Sequence, residues 1–196
     1  MLRLLLVWSI LCLSSVSYAL NPSIFLIHDT KYTYSGTGFE LQTNKGVFTV
    51  TNAHVCGKES SLIAAIGKQD KLLVVKAVYT KHDLCVLQPI LSVPALMLAD
   101  DYYVGEMVTV EGYPRAIRAK TSGKVGRYYN LNMDGSDVVV QYFGVIDHGN
   151  SGSPVLDSNG QVIGVINTLI RSYGVSFGGM VPLEFIKDFI DSKEVY

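Results

Sequence analysis

Residues 149–154 read Gly-Asn-Ser-Gly-Ser-Pro, and the prediction of the fold starts from this stretch. Glycines on both sides of Ser151 allow backbone conformations that other residues resist, and Pro154 removes a backbone donor. The following residues, 155–166, predict a β-hairpin, because two apolar runs flank an Asp-Ser-Asn-Gly turn. Ser151 would then lie on a sharp bend with backbone N–H groups converging near its hydroxyl, as a nucleophile beside an oxyanion hole does. A loop that only needs two glycines would have the same sequence, so the motif alone does not distinguish a nucleophile from a loop without a catalytic role.

The composition of the chain predicts a globular protein with a substantial core. Of its 196 residues, 48% are hydrophobic and 17% are charged, which argues against disorder. That length suits one large domain or two small ones that share an interface. The formal net charge is -1, so no basic excess points to a nucleic-acid partner, and we expect none.

Residues 1–19 predict a secretory signal peptide. Arg3 gives a positive start, an apolar run covers residues 4–13, and Ser17 and Ala19 are the small residues before a cleavage site. The run is shorter than the ~20 apolar residues that a membrane-spanning helix needs. We therefore expect cleavage after Ala19, export to the periplasm or the extracellular medium, and no stable membrane anchor in the mature chain.

The mature chain, residues 20–196, predicts an all-β fold with one C-terminal helix. Short β-branched and apolar runs alternate with Gly, Pro and Asn turns, which is typical of a barrel or a sandwich. These runs divide between two halves, so two barrels, about 20–95 and about 104–182, fit better than one. The connection at 93–103 has no regular pattern. Helical spacing begins after Pro182, a residue that suits a helix N-terminus, and predicts a short core-packing helix over about 183–192.

A serine nucleophile needs a base, and His54 is the best candidate. It directly follows a predicted strand in Thr-Asn-Ala-His-Val, so a turn at the strand end can aim it into a cleft. Asp83 opens the apolar strand that follows it and can hold the tautomer of the histidine. Asp100 and Asp101 compete for that role but lie in the irregular connection. We predict His54, Asp83 and Ser151 as the catalytic residues, in a cleft between the two barrels.

With these motifs the sequence resembles the trypsin-like (chymotrypsin-fold) serine proteases. The likeness rests on the motifs at 51–55, 82–87 and 149–154, and it is nearest to the protease domain of the HtrA type. It extends to Ser-Gly-Thr-Gly-Phe at 35–39 and Gly-Tyr-Pro at 112–114 and covers nearly the whole mature chain. The resemblance implies two six-stranded antiparallel β-barrels with a short C-terminal helix, protein or peptide substrates, and no cofactor or metal.

The chain departs from the HtrA pattern in two ways. The sequence ends at Tyr196, and we expect no PDZ domain after the protease domain. Ser153 replaces the glycine common in HtrA motifs, a feature shared with the secreted glutamyl endopeptidases. Those proteases place a histidine in the strand after the serine hairpin, where this chain has Ile-Asn-Thr at 166–168.

The resemblance also implies an oxyanion hole and a specificity pocket. The oxyanion donors are the backbone N–H groups of Gly149 and Ser151. Pocket residues come from the segment before Ser151 and from the strand after its hairpin: Val145, Ile146, His148, Ile166, Asn167 and Thr168. Asp147 is expected off the pocket floor. The branched apolar residues predict cleavage after Val, Ala, Ile or Leu, with Glu as the second choice because His148 lies at the rim.

Two questions stay open at the level of sequence. Cys56 and Cys85 each lie two residues beyond a predicted catalytic residue. They either form a disulfide, which an exported protein can keep, or pack as two buried free thiols. The alternative to an endopeptidase is a binding module or holdase that keeps the protease fold without turnover. No oligomeric state is predicted.

Overall fold

A computed structural model describes residues 20–131, 138–172 and 174–192. The predicted signal peptide, residues 1–19, lies outside the described residues. Within them the chain forms thirteen β-strands and two short α-helices.

The first half of the chain forms a closed barrel of six antiparallel strands. Turn residues between β-branched runs produce consecutive hairpins, and the pairing of β1 with β2 closes the sheet in the order β1-β4-β5-β6-β3-β2. These strands are β1 (Ile24–His28), β2 (Ser35–Thr43), β3 (Gly46–Thr51), β4 (Ser61–Ile66), β5 (Gln69–Tyr79) and β6 (Leu84–Leu87). Inside the connection between the halves, β7 (Leu96–Met97) pairs in parallel with β2.

The second half forms another closed six-stranded antiparallel barrel, in the order β10-β13-β12-β11-β8-β9. Its strands are β8 (Met107–Gly112), β9 (Ala119–Asn130), β10 (Val138–Phe143), β11 (Pro154–Leu156), β12 (Val162–Ser172) and β13 (Val175–Pro182). The prediction of two six-stranded antiparallel barrels is confirmed. The hairpin expected after Ser151 is β11 paired with β12.

Helix α2 (Leu183–Asp191) follows β13 directly and ties the two barrels together. Its buried face consists of Leu183, Ile186, Phe189 and Ile190. Phe189 stacks on Tyr79 of the first barrel, with ring centroids 5.1 Å apart. One buried cluster contains α2 residues together with strand residues of both barrels. This shared core fixes the barrels relative to each other, which any site built from both of them requires.

Candidate active site

A single carboxylate orients His54. The one-turn helix α1 (Ala53–Cys56) carries His54 at the end of β3. Asp83 Oδ2 accepts a hydrogen bond from His54 Nδ1 at 2.8 Å, and Asp83 Oδ1 accepts the backbone N–H of His54 at 2.9 Å. With Nδ1 donating to the carboxylate, the other ring nitrogen, Nε2, is left as an acceptor that can take a proton.

Asp83 itself has an unusual backbone conformation. It follows the 3₁₀ turn Thr80–His82 with φ 54 and ψ 45, in the left-handed region that costs a non-glycine residue about 1–2 kcal/mol. The buried Asn52 donates from Nδ2 to the carbonyl of Asp83 at 2.9 Å. This bond, with the two bonds to His54, holds Asp83 in a conformation that its residue type does not favour alone.

The loop that carries Ser151 needs its glycines for steric reasons. Gly149 and Gly152 have φ of 95 and 84, where other residues are strained. A Cβ atom at Gly152 would lie 2.0 Å from the Thr37 carbonyl oxygen, and one at Gly149 would lie 2.4 Å from that of Tyr113. The loop is therefore pressed against the first barrel on one side and against the turn after β8 on the other.

Thr37 of β2 holds this loop, a role that the residue type alone does not predict. Its N–H donates to the carbonyl of Ser151 at 2.8 Å, and its hydroxyl donates to that of Gly149 at 2.9 Å. The same hydroxyl accepts the N–H of Tyr113 at 3.0 Å, and Thr51 donates to the carbonyl of Thr37 at 2.7 Å. One residue of the first barrel thus fixes two carbonyls of the second. The sequence feature that could have indicated this role is the position of Thr37 within the Ser-Gly-Thr-Gly-Phe motif.

The backbone N–H groups of Gly149 and Ser151 have no protein acceptor among the described residues. The carbonyl of His148 accepts the N–H of Arg115 at 2.7 Å. In a trans peptide the carbonyl and the following N–H point in opposite directions, so this bond turns the Gly149 N–H away from Arg115. Both predicted oxyanion donors are therefore available to the oxygen of a ligand.

A cavity of about 420 Å³ brings His54 and Ser151 together. Five of the six predicted pocket residues line it: Ile146, His148, Ile166, Asn167 and Thr168. Four more residues complete the lining: Asp147, Asn150, Leu169 and Arg171. No hydrogen bond links the His54 ring and the Ser151 hydroxyl in the described part of the chain.

Val145 is the predicted pocket residue that the structure places elsewhere. The residue is 74% exposed and is not part of the cavity lining. Its carbonyl accepts a hydrogen bond from the Thr121 hydroxyl at 3.0 Å, which ties the residue to strand β9.

Asp147 lines the cavity, although it was expected off the pocket floor, and its charge is already paired. Its Oδ2 accepts from Arg115 Nε at 2.6 Å, and its Oδ1 accepts the N–H of His148 at 2.8 Å. The bond from Arg115 and that from the His148 backbone hold the pKa of Asp147 below its ordinary value. A carboxylate engaged on both oxygens is a poor partner for a cationic substrate side chain.

The segments that carry His54 and Asp83 are also joined covalently. The sulfur atoms of Cys56, in α1, and Cys85, in β6, are 2.06 Å apart in a disulfide. The bridge links the two segments two residues beyond the histidine and the aspartate.

Two kinds of feature are absent from residues 20–131, 138–172 and 174–192. No three His, Cys, Asp or Glu side chains come together in a way that could hold a metal ion. No helix there is long and apolar enough to cross a membrane.

Known proteins resemble this chain in sequence and in structure. The trypsin-like peptidase domain family matches residues 36–165. Serine protease HTRA4 of Mus musculus is 32% identical over 170 residues, which cover 80% of this chain and 34% of the mouse protein. The chain thus spans about a third of the length of the relatives it matches.

Two solved structures share the fold. The active form of the Rv3671c protease from M. tuberculosis has a TM-score of 0.72 at 24% identity, over 87% of this chain and 80% of that one. The serine endoprotease from Yersinia pestis has a TM-score of 0.74 at 19% identity, over 90% of this chain and 64% of that one.

Proposed function

We propose that this chain, which belongs to the trypsin-like peptidase family, is an exported serine endopeptidase with His54, Asp83 and Ser151 as its catalytic triad. One observation carries the proposal. Both oxygens of Asp83 bind His54, and the His54 ring lines the same cavity as Ser151, which lies on a bend set by two glycines. The predicted signal sequence and the Cys56–Cys85 disulfide support export.

The reaction proceeds through an acyl-enzyme. Ser151 Oγ attacks the carbonyl carbon of the substrate peptide while His54 Nε2 takes the hydroxyl proton. Asp83 stabilises the resulting imidazolium, and the N–H groups of Gly149 and Ser151 donate to the oxyanion. His54 then gives its proton to the leaving amine. Water, activated by His54, attacks the acyl-enzyme and releases the acid product together with free Ser151.

The lining of the cavity supports cleavage after aliphatic residues. Ile146, Ile166 and Leu169 offer apolar surface, and each buried CH₂ group of a substrate gains about 0.8 kcal/mol. A basic side chain finds Asp147 already bonded to Arg115. Acidic side chains are the second choice, because His148 and Arg171 line the same cavity.

Cleavage of casein tests the activity. The mature protein should cleave casein, and Ser151→Ala should lower kcat by about 10⁶. Ser158→Ala, in the exposed turn between β11 and β12, is the matched control and should keep the full rate. Equal rates for wild type and Ser151→Ala would refute the assignment of the nucleophile.

A binding module without turnover is the second candidate function. The observation that favours it is the lack of a hydrogen bond between His54 and Ser151 in the described residues. Catalytic hydrogen bonds often tighten only when substrate binds, and for this reason the enzyme is the first proposal. Casein that is bound but not cleaved by the wild-type protein would favour the binding module.

A further inference from the structure

We propose that the ion pair of Arg115 and Asp147 positions the oxyanion hole, by holding the peptide between His148 and Gly149 in the orientation that presents the Gly149 N–H to substrate. Arg115 and Asp147 would be positioning residues, since they act through the peptide and not on the substrate. The inference rests on the proposed function, because it assigns the Gly149 N–H to the oxyanion.

Two hydrogen bonds connect the turn after β8 to the loop before Ser151, and a third lies within the loop. Arg115 binds this loop twice: its N–H donates to the carbonyl of His148 at 2.7 Å, and its Nε donates to Asp147 Oδ2 at 2.6 Å. The third bond runs from the N–H of His148 to Asp147 Oδ1 at 2.8 Å. Because the peptide group is planar, fixing the carbonyl of His148 also fixes the direction of the Gly149 N–H. A rotation of this peptide would break the bond from the Arg115 backbone.

Gly149 makes such a rotation easy unless something opposes it. With φ at 95 it occupies a region that glycine enters freely, and glycine populates the opposite sign of φ about as readily. Two further bonds restrain this part of the loop: the Thr37 hydroxyl donates to the carbonyl of Gly149, and the N–H of Asn150 donates to the carbonyl of Asp147 at 3.0 Å. Neither bond is made by the carbonyl of His148 or the N–H of Gly149. The orientation of the peptide between His148 and Gly149 therefore depends on the contact with Arg115.

The turn that carries Arg115 is itself strained. Arg115 (φ 52, ψ 36) and Ala116 (φ 62) are consecutive non-glycine residues with positive φ. Such backbone conformations persist only where surrounding contacts impose them, and they are common beside active sites. Here the strained turn places the Arg115 N–H against the carbonyl of His148. The ion pair with Asp147 is the side-chain contact that holds the turn to the loop.

The ion pair is too exposed to stabilise the whole fold. The Arg115 and Asp147 side chains are 75% and 34% exposed, and exposed ion pairs contribute little to global stability. Breaking the pair should therefore change the orientation of one peptide while the melting temperature stays the same. This difference separates a positioning role from a structural one.

Asp147→Asn keeps the shape of the side chain and removes its charge, and Arg115→Ala removes the whole guanidinium. We expect kcat on a peptide substrate to fall about five- to tenfold in both, well below the 10²–10³ that follows loss of an oxyanion donor. KM should stay within about twofold, because ground-state binding is unchanged. The inhibition constant of a peptide aldehyde, whose adduct places an oxyanion in the hole, should rise by the same factor as kcat falls.

Three further variants complete the design. Arg115→Lys should recover part of the loss, and the double variant Arg115→Ala/Asp147→Asn should be no worse than either single one, because both changes break one contact. Asp191→Asn is the matched control, since it removes another exposed carboxylate, one paired with Lys45 at 3.7 Å. Unchanged kcat in Arg115→Ala and Asp147→Asn, or a loss confined to KM with unchanged aldehyde affinity, would overturn the inference.

Amide hydrogen exchange, measured by NMR, tests the positioning contact without any catalytic readout. The Arg115 N–H donates to the His148 carbonyl, so it should exchange faster in Asp147→Asn than in wild type or Asp191→Asn. Unchanged exchange would refute the contact even in a fully active protein. Faster exchange in a protein that cleaves nothing would support the contact and refute the proposed activity instead.

Discussion

Asp83 binds His54 with both of its carboxylate oxygens, one on the ring Nδ1 at 2.8 Å and the other on the backbone N–H at 2.9 Å. The first bond sets which ring nitrogen carries the proton, and the second sets where the residue stands. A change of one atom in this carboxyl group therefore affects the tautomer of the histidine more than its position.

Asp83→Asn should lower kcat by about 10⁴ while the fold stays intact. The amide would donate to His54 Nδ1 and so place the proton on Nε2, which could then no longer accept the hydroxyl proton of Ser151. Peptide-cleavage kinetics together with a thermal melt measure this. Asp100→Asn, in an exposed residue of the connection, is the control. A larger loss of kcat in Asp100→Asn than in Asp83→Asn would assign the role of orienting His54 to the connection at 93–103.

The sequence predicted the barrels and the motifs because both depend on local patterns. Alternating β-branched runs and turn residues suffice to indicate hairpins, and two glycines suffice to indicate the bend at Ser151. Strand β7 was missed inside the connection at 93–103 because it has two residues and pairs in parallel with a strand far earlier in the chain.

Parts of the site could not be predicted because long-range contacts determine them. Nothing in the residue types Arg and Ala indicates positive φ at 115 and 116, which tertiary contacts impose. Likewise, the bond from the Thr37 hydroxyl to Gly149 joins residues 112 positions apart. Val145 was placed in the pocket by family likeness, whereas its bond from Thr121 holds it outside.

The disulfide should leave no free thiol in the mature protein. Cys56 and Cys85 are 29 residues apart in sequence, and closing a loop of that size in the unfolded chain stabilises the fold by roughly 3–4 kcal/mol. Thiol titration of the unfolded, unreduced protein should find no thiol. Reduction should lower the melting temperature of the wild-type protein. The double variant Cys56→Ala/Cys85→Ala, treated in parallel, should show no such decrease. Two free thiols in the unreduced protein would contradict the bridge.

The buried Glu40 should make stability depend on pH. Burial raises the pKa of its carboxyl group, and hydrogen bonds from Thr49 and the Ile90 backbone offset this in part. The folded state therefore favours the protonated acid, whose contribution to stability is complete below the unfolded pKa and is lost as the pH rises through the folded pKa.

Glu40→Gln keeps a neutral side chain at every pH and should remove this loss. Denaturant unfolding between pH 4 and pH 8 should show the variant gaining free energy of unfolding over wild type as the pH rises. Glu59→Gln, in an exposed residue, should follow wild type. Parallel curves for wild type and Glu40→Gln would show that Glu40 does not carry the effect.

Arg171 should affect the substrate preference more than the overall rate of cleavage. It lines the cavity with His148, so Arg171→Ala should lower kcat/KM for a peptide with Glu before the scissile bond about three- to tenfold relative to one with Val. Arg127→Ala removes an exposed arginine that does not line this cavity and is the control. For wild type, a preference for Lys or Arg at this position would contradict the proposed pocket.

The central claim is that Ser151 is an activated nucleophile, and labelling with a fluorophosphonate tests it most directly. The reagent reacts with a serine whose proton is taken by a base, and the adduct is located by mass spectrometry of peptides. We predict one adduct, on Ser151, that is lost in Ser151→Ala and in His54→Ala, while both variants remain folded. A wild-type protein that is not labelled, or is labelled on another serine to the same extent in both variants, would contradict the account.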